Sequence, residues 1–180
     1  MKIPKRLLFL LEGVIVLFIG WAAVGVFMHS QSLDSVTVTL SEGGEEYHDK
    51  TLLGIGQADV LPDYWLRAKT TGGVVNLGSY ANRLVGEGLS FTPQQTLPAR
   101  EIVGFELLDK DTFGSDVLEA FPYESDRLVG VDYTLEIDKG LSLESGFAWF
   151  FMTPIGLAIL AGLILGIAGI LLFNSSLWWW

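Results

Sequence analysis

Val129-Gly130-Val131-Asp132-Tyr133-Thr134-Leu135-Glu136-Ile137-Asp138 alternates apolar with polar or small residues at every step. Side chains of a strand point to opposite faces in turn, so this stretch predicts one β-strand with a buried face. Val36-Thr37-Val38-Thr39-Leu40 alternates in the same way, and Val103, Phe105 and Leu107 interleave with Gly104 and Glu106. Residues 52–57, 64–70, 74–77, 89–91 and 117–121 are shorter strand candidates. Turn-forming residues separate the runs at Gly43-Gly44, Leu61-Pro62-Asp63, Gly72-Gly73, Thr92-Pro93 and Phe121-Pro122. Roughly eight short strands at this spacing predict an antiparallel sandwich or barrel. No helical period interrupts them, although residues 78–87 have room for a short helical turn.

Outward from this middle segment lie two apolar stretches, residues 7–28 and 146–173. Each is longer than the roughly 20 residues that a helix needs to cross hydrocarbon. The expected fold class is therefore a mixed membrane protein, with two transmembrane helices flanking an all-β, roughly eight-stranded antiparallel sandwich. Its expected organisation is a basic tail (1–6), a first membrane helix (7–29), an extracytoplasmic sandwich (30–145), a second membrane helix (146–173) and a Trp-rich tail (174–180).

The first stretch follows a basic segment, as a signal peptide does, but its apolar run is longer than the usual 7–15 residues. Gly25-Val26-Phe27-Met28 also stands where a small-x-small cleavage site belongs, so an uncleaved anchor is expected. Lys2, Lys5 and Arg6 place the N-terminus in the cytoplasm by the positive-inside bias. Two crossings then return the C-terminus to that side, giving a two-pass protein of the inner (plasma) membrane with a periplasmic or otherwise extracytoplasmic domain. Trp178-Trp179-Trp180 suits a membrane–water interface, where indole buries its ring and keeps its N–H wet.

Charge is segregated. Of the 21 acidic residues, 20 fall between Ser30 and Ser145, against eight Lys and Arg, so this domain carries a formal −12. Such a surface repels nucleic acid, which is excluded as a partner, and attracts metal ions or basic groups. The chain has no cysteine, which removes a thiol nucleophile, disulfides, iron–sulfur ligation and covalent haem attachment. No Ser/His/Asp set, Gly-rich phosphate loop or paired-His motif occurs, and the expectation is a protein that is not an enzyme.

Within the domain, Gly56-Gln57-Ala58-Asp59-Val60-Leu61-Pro62-Asp63-Tyr64-Trp65-Leu66-Arg67-Ala68 resembles the opening of a C2 domain, where an acidic loop runs into a strand. Thr96-Leu97-Pro98 is similar to that family's Thr-Leu-Asn-Pro turn. Val103-Gly104-Phe105-Glu106-Leu107-Leu108-Asp109-Lys110-Asp111-Thr112-Phe113-Gly114-Ser115-Asp116 is similar to its strand that ends in Asp-x-Asp with a later Asp. The match spans residues 51–137. It implies that Asp59 and Asp63 from one loop, with Asp109, Asp111 and Asp116 from another, bind calcium. Ca²⁺ takes six to eight oxygens at about 2.3–2.6 Å, and clustered carboxylates tolerate one another around a cation. Asp63 is followed by Tyr64 where the family has Pro, and a basic lipid-binding strand is missing.

Glu12 is the single charge inside either apolar stretch and admits two readings. It acts in proton transfer or a buried contact, or it pairs or snorkels near Lys5 and Arg6. His29 ends the first stretch as an interfacial histidine, and His48 lies among the acids of a solvated loop. Ala158, Gly162 and Gly166 recur every four residues, a small-residue stripe that lets a helix approach closely. The first span, a second copy or another protein could fill it. The expected function is a non-catalytic accessory subunit of a larger integral-membrane complex, with a respiratory or photosynthetic assembly as candidate. Its expected partners are the lipid bilayer and other membrane subunits. The alternative is a tethered calcium-dependent module that binds lipid or protein. No cofactor is expected beyond Ca²⁺.

Overall fold

The computed structural model describes residues 5–47, 61–111 and 114–175. The chain forms two compact units, a β unit over Ser32–Leu141 and a helical unit built from the sequence on either side.

The β unit is sandwich-like, with two sheets. Its strands are β1 (Gln31–Leu40), β2 (Tyr64–Thr70), β3 (Gly73–Tyr80), β4 (Leu89–Phe91), β5 (Leu97–Pro98), β6 (Ile102–Asp111), β7 (Gly114–Pro122), β8 (Arg127–Val129) and β9 (Tyr133–Leu141). One sheet runs β4-β1-β9-β8, with β5 also paired to β1, and the other runs β3-β2-β6-β7. Their inner faces meet in a core that includes Val36, Val38, Leu66, Leu77, Phe91, Phe105, Leu107 and Leu135. These are the apolar members of the alternating runs, so burial follows the period-two pattern. The short turn expected within 78–87 is a 3₁₀ turn at Val85–Glu87. The candidate strand at 52–57 lies outside the described residues.

The stretch 129–138 corrects the expectation of one continuous strand. It is a hairpin: β8 ends at Val129 and β9 begins at Tyr133. Val129 and Val131 are exposed, whereas Tyr133, Leu135 and Ile137 are buried, so the apolar alternation marks a core face only from Tyr133 onward. The Gly130 N–H donates to the Tyr133 carbonyl at 2.8 Å and closes the turn. Alternation alone does not distinguish an exposed apolar turn from an inward-facing strand.

The helical unit contains α1 (Lys5–Met28), α2 (Leu143–Met152) and α3 (Pro154–Ser175). The stretch 146–173 is therefore not one helix. Pro154 lacks an N–H and pushes the residue before it out of the helical region, and Thr153 is extended at φ −99°, ψ 146°. Thr153 Oγ1 then accepts from the Gly156 N–H at 3.2 Å, capping α3. At Gly156 any Cβ would overlap the Phe150 carbonyl, so the break depends on that glycine. Ser142 caps the start of α2 by accepting from the Ser145 N–H at 3.4 Å.

Among the described residues, one helix, Pro154–Leu172, is long and apolar enough to cross a membrane, and the apolar part of α1, Glu12–Met28, is shorter. Glycine contacts join α1 to α3. A Cβ on Gly162 would lie 3.3 Å from the Phe18 ring, and one on Gly166 would lie 3.0 Å from Ile15. Ala158 is exposed, and Ile159 beside it is buried, so the contact face runs through Ile159, Gly162 and Gly166.

Candidate functional site

At one end of the sandwich, carboxylates from loops and strands converge on two buried tyrosines. Tyr64 on β2 and Tyr133 at the start of β9 point inward from opposite sheets, with ring centroids 5.9 Å apart in an edge-to-face pair. Their hydroxyls lie 3.2 Å apart. Tyr64 donates to Glu46 Oε1 at 2.5 Å, and the same oxygen accepts from the Val85 N–H at 3.0 Å. The Tyr133 hydroxyl accepts from the Tyr47 N–H at 3.2 Å. Burial pushes both phenols above their ordinary pKa, and the bond to Glu46 raises Tyr64 further. Both are neutral hydrogen-bonding groups at physiological pH.

Glu119 on β7 reaches across to the other sheet. Its carboxylate accepts from the Val131 N–H at 2.5 Å and the Tyr133 N–H at 3.1 Å, so it caps the β8–β9 turn. A Cβ on Gly130 would overlap that carboxylate, which explains the glycine at the turn. Asp132 binds the β1 exit loop: its carbonyl accepts from the Ser41 N–H at 2.9 Å, and its Oδ1 accepts from the Glu45 N–H at 3.2 Å. Gly44 lies so close to the Asp132 carbonyl that no side chain fits there.

A pocket of about 560 Å³ opens over this end, lined by Glu45, Glu46, Tyr47, Asp116, Asp132 and Tyr133 among others. Its chemistry is acidic and aromatic. The oxygens of Glu46, Glu119 and Asp132 nevertheless hold backbone N–H groups and a phenol, an arrangement that fixes loops rather than leaving free ligands. Sequence reasoning places Glu46 only among the acids of a solvated loop around His48 and gives Glu119 no role. The one signal for Glu119 was the glycine after Val129, which marks a close approach without naming the group that approaches.

The aspartates expected to bind calcium are partly brought together. Asp109 is fully buried, is the register partner of Tyr64 on β2 and of Asp116 on β7, and accepts from the Asp63 N–H through Oδ1 at 2.9 Å. Asp63 Oδ1 accepts from the Asn82 N–H at 2.8 Å. Asp116 is exposed. Asp111 ends β6, with Gly114 as its partner. Asp59 lies outside the described residues. Among the described residues, no three or more acids or histidines are grouped as metal ligands. Asp63 and Asp109 thus each hold a neighbouring segment through a backbone amide.

In the helical unit, His29 stacks on Trp149 of α2, with centroids 4.1 Å apart and planes 21° from parallel. Gly25, one turn earlier on α1, lies directly against the Trp149 ring. Gly146 packs in the same way against Val26 and Ser30, and the Ser142 N–H donates to the Ser30 carbonyl at 2.6 Å. These contacts lock α2 onto the end of α1 and assign His29 a packing role. Glu12 is exposed. Lys2, His48 and the terminal tryptophans lie outside the described residues.

Comparison of the chain with protein-family models, curated proteins and solved structures finds no match in any of the three.

Proposed function

We propose that this chain is a non-catalytic accessory subunit of a larger integral-membrane complex, with respiratory and photosynthetic assemblies as candidate hosts. The supporting observation is the outward surface of the helical unit. Phe9, Leu17, Trp21, Leu165 and Leu172 are exposed on it, and Gly13 and Gly20 on α1 have open space where a side chain would be. An apolar surface with glycine clefts suits lipid and a neighbouring helix. In this reading both α1 and α3 cross the membrane, the basic N-terminal tail and the C-terminus are cytoplasmic, and the sandwich lies outside. The acids at the sandwich end are employed as anchors for loops, which agrees with a binding scaffold. Purification of the tagged chain from its native membrane tests the reading, because a stable set of co-purifying membrane subunits is required.

A second reading, a C2-like calcium-dependent module, draws support from the two-sheet architecture and from Asp63, Asp109 and Asp116 lying at one end of it. Its test is a calcium-dependent rise in melting temperature.

A further inference from the structure

α2 has two unlike stripes. Ser145, Gly146 and Phe150 are buried, and Gly146 packs against Val26 and Ser30 at the last turn of α1. Leu143, Phe147 and Phe151 recur every four residues as a second stripe, and all three are exposed. Met152 is exposed as well. From Ser142 to Phe173 the sequence has one charged residue, Glu144, in the first turn of α2.

The contacts with α1 fix the direction of α2. Gly162 of α3 faces Phe18 and Gly166 faces Ile15, so α3 runs antiparallel to α1. Eight residues back along α3 from Gly162 is Pro154, and eight residues on along α1 from Phe18 is Val26, so α3 starts level with Val26. Gly146, near the other end of α2, also lies against Val26. Both ends of α2 are thus at one level of α1, and α2 runs across the α1–α3 pair. Its ten residues aligned with α3 would instead advance by about 15 Å. The bend that permits this is sharp: Gly156 presses on the carbonyl of Phe150, six residues back, a closeness that no continuous helix allows.

We infer that α2 is an interfacial helix, lying in the plane of the leaflet at the end of α1 that leads into β1. Leu143, Phe147 and Phe151 are then set into the boundary between lipid headgroups and acyl chains. Position selects lipid as the occupant of this face. α3 begins two residues after α2 ends and is long and apolar enough to cross a membrane. Exposed Phe27 and Met28 continue the apolar surface onto α1 at the same level. Leucine and aromatic residues on one side of a helix that borders a span are the composition that binds this boundary. The inference rests on the membrane reading of α1 and α3 and adds which residues meet the headgroup level.

The chain has no cysteine, so Leu143→Cys, Phe147→Cys and Phe151→Cys, made one at a time, can each carry a nitroxide label on the full chain in nanodiscs. Leu165→Cys on α3 and Val129→Cys on the sandwich, both at exposed positions, supply a deep and a wet control. Collision with oxygen against a water-soluble nickel chelate reads the depth of each label. The three α2 labels should report one shallow depth, about 5–10 Å into the boundary, with the Leu165 label much deeper. Phe147→Glu with Phe151→Glu should open the Leu143 label to nickel while the Leu165 depth and the melting temperature stay unchanged. A depth that grows from 143 to 151 by about 1.5 Å per residue would make α2 part of the span and overturn the inference. So would α2 labels as open to nickel as the Val129 label, or labels shielded from both reagents, which would assign the face to a protein contact. A Leu165 label open to nickel would overturn the membrane reading as well, so the two failures are distinguishable.

Discussion

The sandwich and the helical unit fix their geometry with a different balance of means. In the sandwich, carboxylates do it: Glu46, Asp109, Glu119 and Asp132 each accept backbone N–H groups from a different segment. In the helical unit, missing side chains do it: Gly25, Gly146, Gly156, Gly162 and Gly166 each sit where a Cβ would press on or overlap a neighbour. On the membrane reading proposed above, the solvent explains the difference. In water, strands and loops gain uniqueness when buried polar groups are satisfied. Between apolar helices in lipid the hydrophobic drive is absent and close backbone approach takes over. Substitutions should therefore act mainly by overlap in the helical unit, and by lost acceptors as well as by overlap at Gly44 and Gly130 in the sandwich.

The largest effect is expected at the helix break. Gly156→Ala drives a Cβ into the Phe150 carbonyl, which is backbone and cannot rotate away. It should cost about 3 kcal/mol, the upper end for overpacking, read as a lowered melting temperature in detergent. Gly162→Leu and Gly166→Leu should cost about 1–3 kcal/mol by separating α3 from Phe18 and Ile15. A wild-type melting temperature in all three variants would remove glycine packing from the account.

Next is the cap on the β8–β9 turn. Glu119→Ala leaves the Val131 and Tyr133 amides without their acceptor and should cost about 2 kcal/mol. Glu119→Gln keeps one acceptor oxygen and should lose about half as much. Equal loss in the two variants would mean that the negative charge, and not the acceptor geometry, stabilises the turn.

A smaller effect follows from the buried tyrosines. Their folded pKa values lie above the unfolded value of about 10, so their contribution is fully present below that pH. Above it the unfolded chain loses protons that the folded chain retains, so stability falls as pH rises, by at most about 1.4 kcal/mol per pH unit for a phenol that stays protonated in the fold. Tyr64→Phe should make this alkaline slope shallower. An identical slope in wild type and Tyr64→Phe would contradict the buried-phenol assignment.

Calcium should have the least effect. No three acids are grouped as metal ligands among the described residues, so millimolar Ca²⁺ should shift the melting temperature by less than about 1 °C. A larger rise, abolished by Asp109→Asn with Asp111→Asn, would establish the calcium-dependent module instead.

Where neighbours in sequence also decide the structure, the sequence was legible. β2 and β4 begin and end where alternation and turn residues place them, and the 3₁₀ turn at Val85–Glu87 falls within 78–87. The β8–β9 turn was not legible, because Glu119 closes it from another strand and Val131 mimics a core residue. The helix break at Thr153 was signalled by Pro154, yet the unbroken apolar composition outweighed it. The register of Asp109 against Tyr64 and Asp116 depends on pairings that no local pattern encodes. Likewise, Gly162 and Gly166 announced a close helix contact, but only the fold shows that Phe18 and Ile15 of α1 make it.

The most direct test of the central claim is affinity purification of the tagged chain from its native membrane in mild detergent, with particle mass and composition measured together. The account predicts a particle much larger than the 19.7 kDa chain, with a reproducible set of integral-membrane subunits. Gly13→Leu and Gly20→Leu, which fill the open clefts on α1, should release the chain from that particle without lowering its melting temperature. A lone chain in its micelle, recovered equally from wild type and both variants, would contradict the claim.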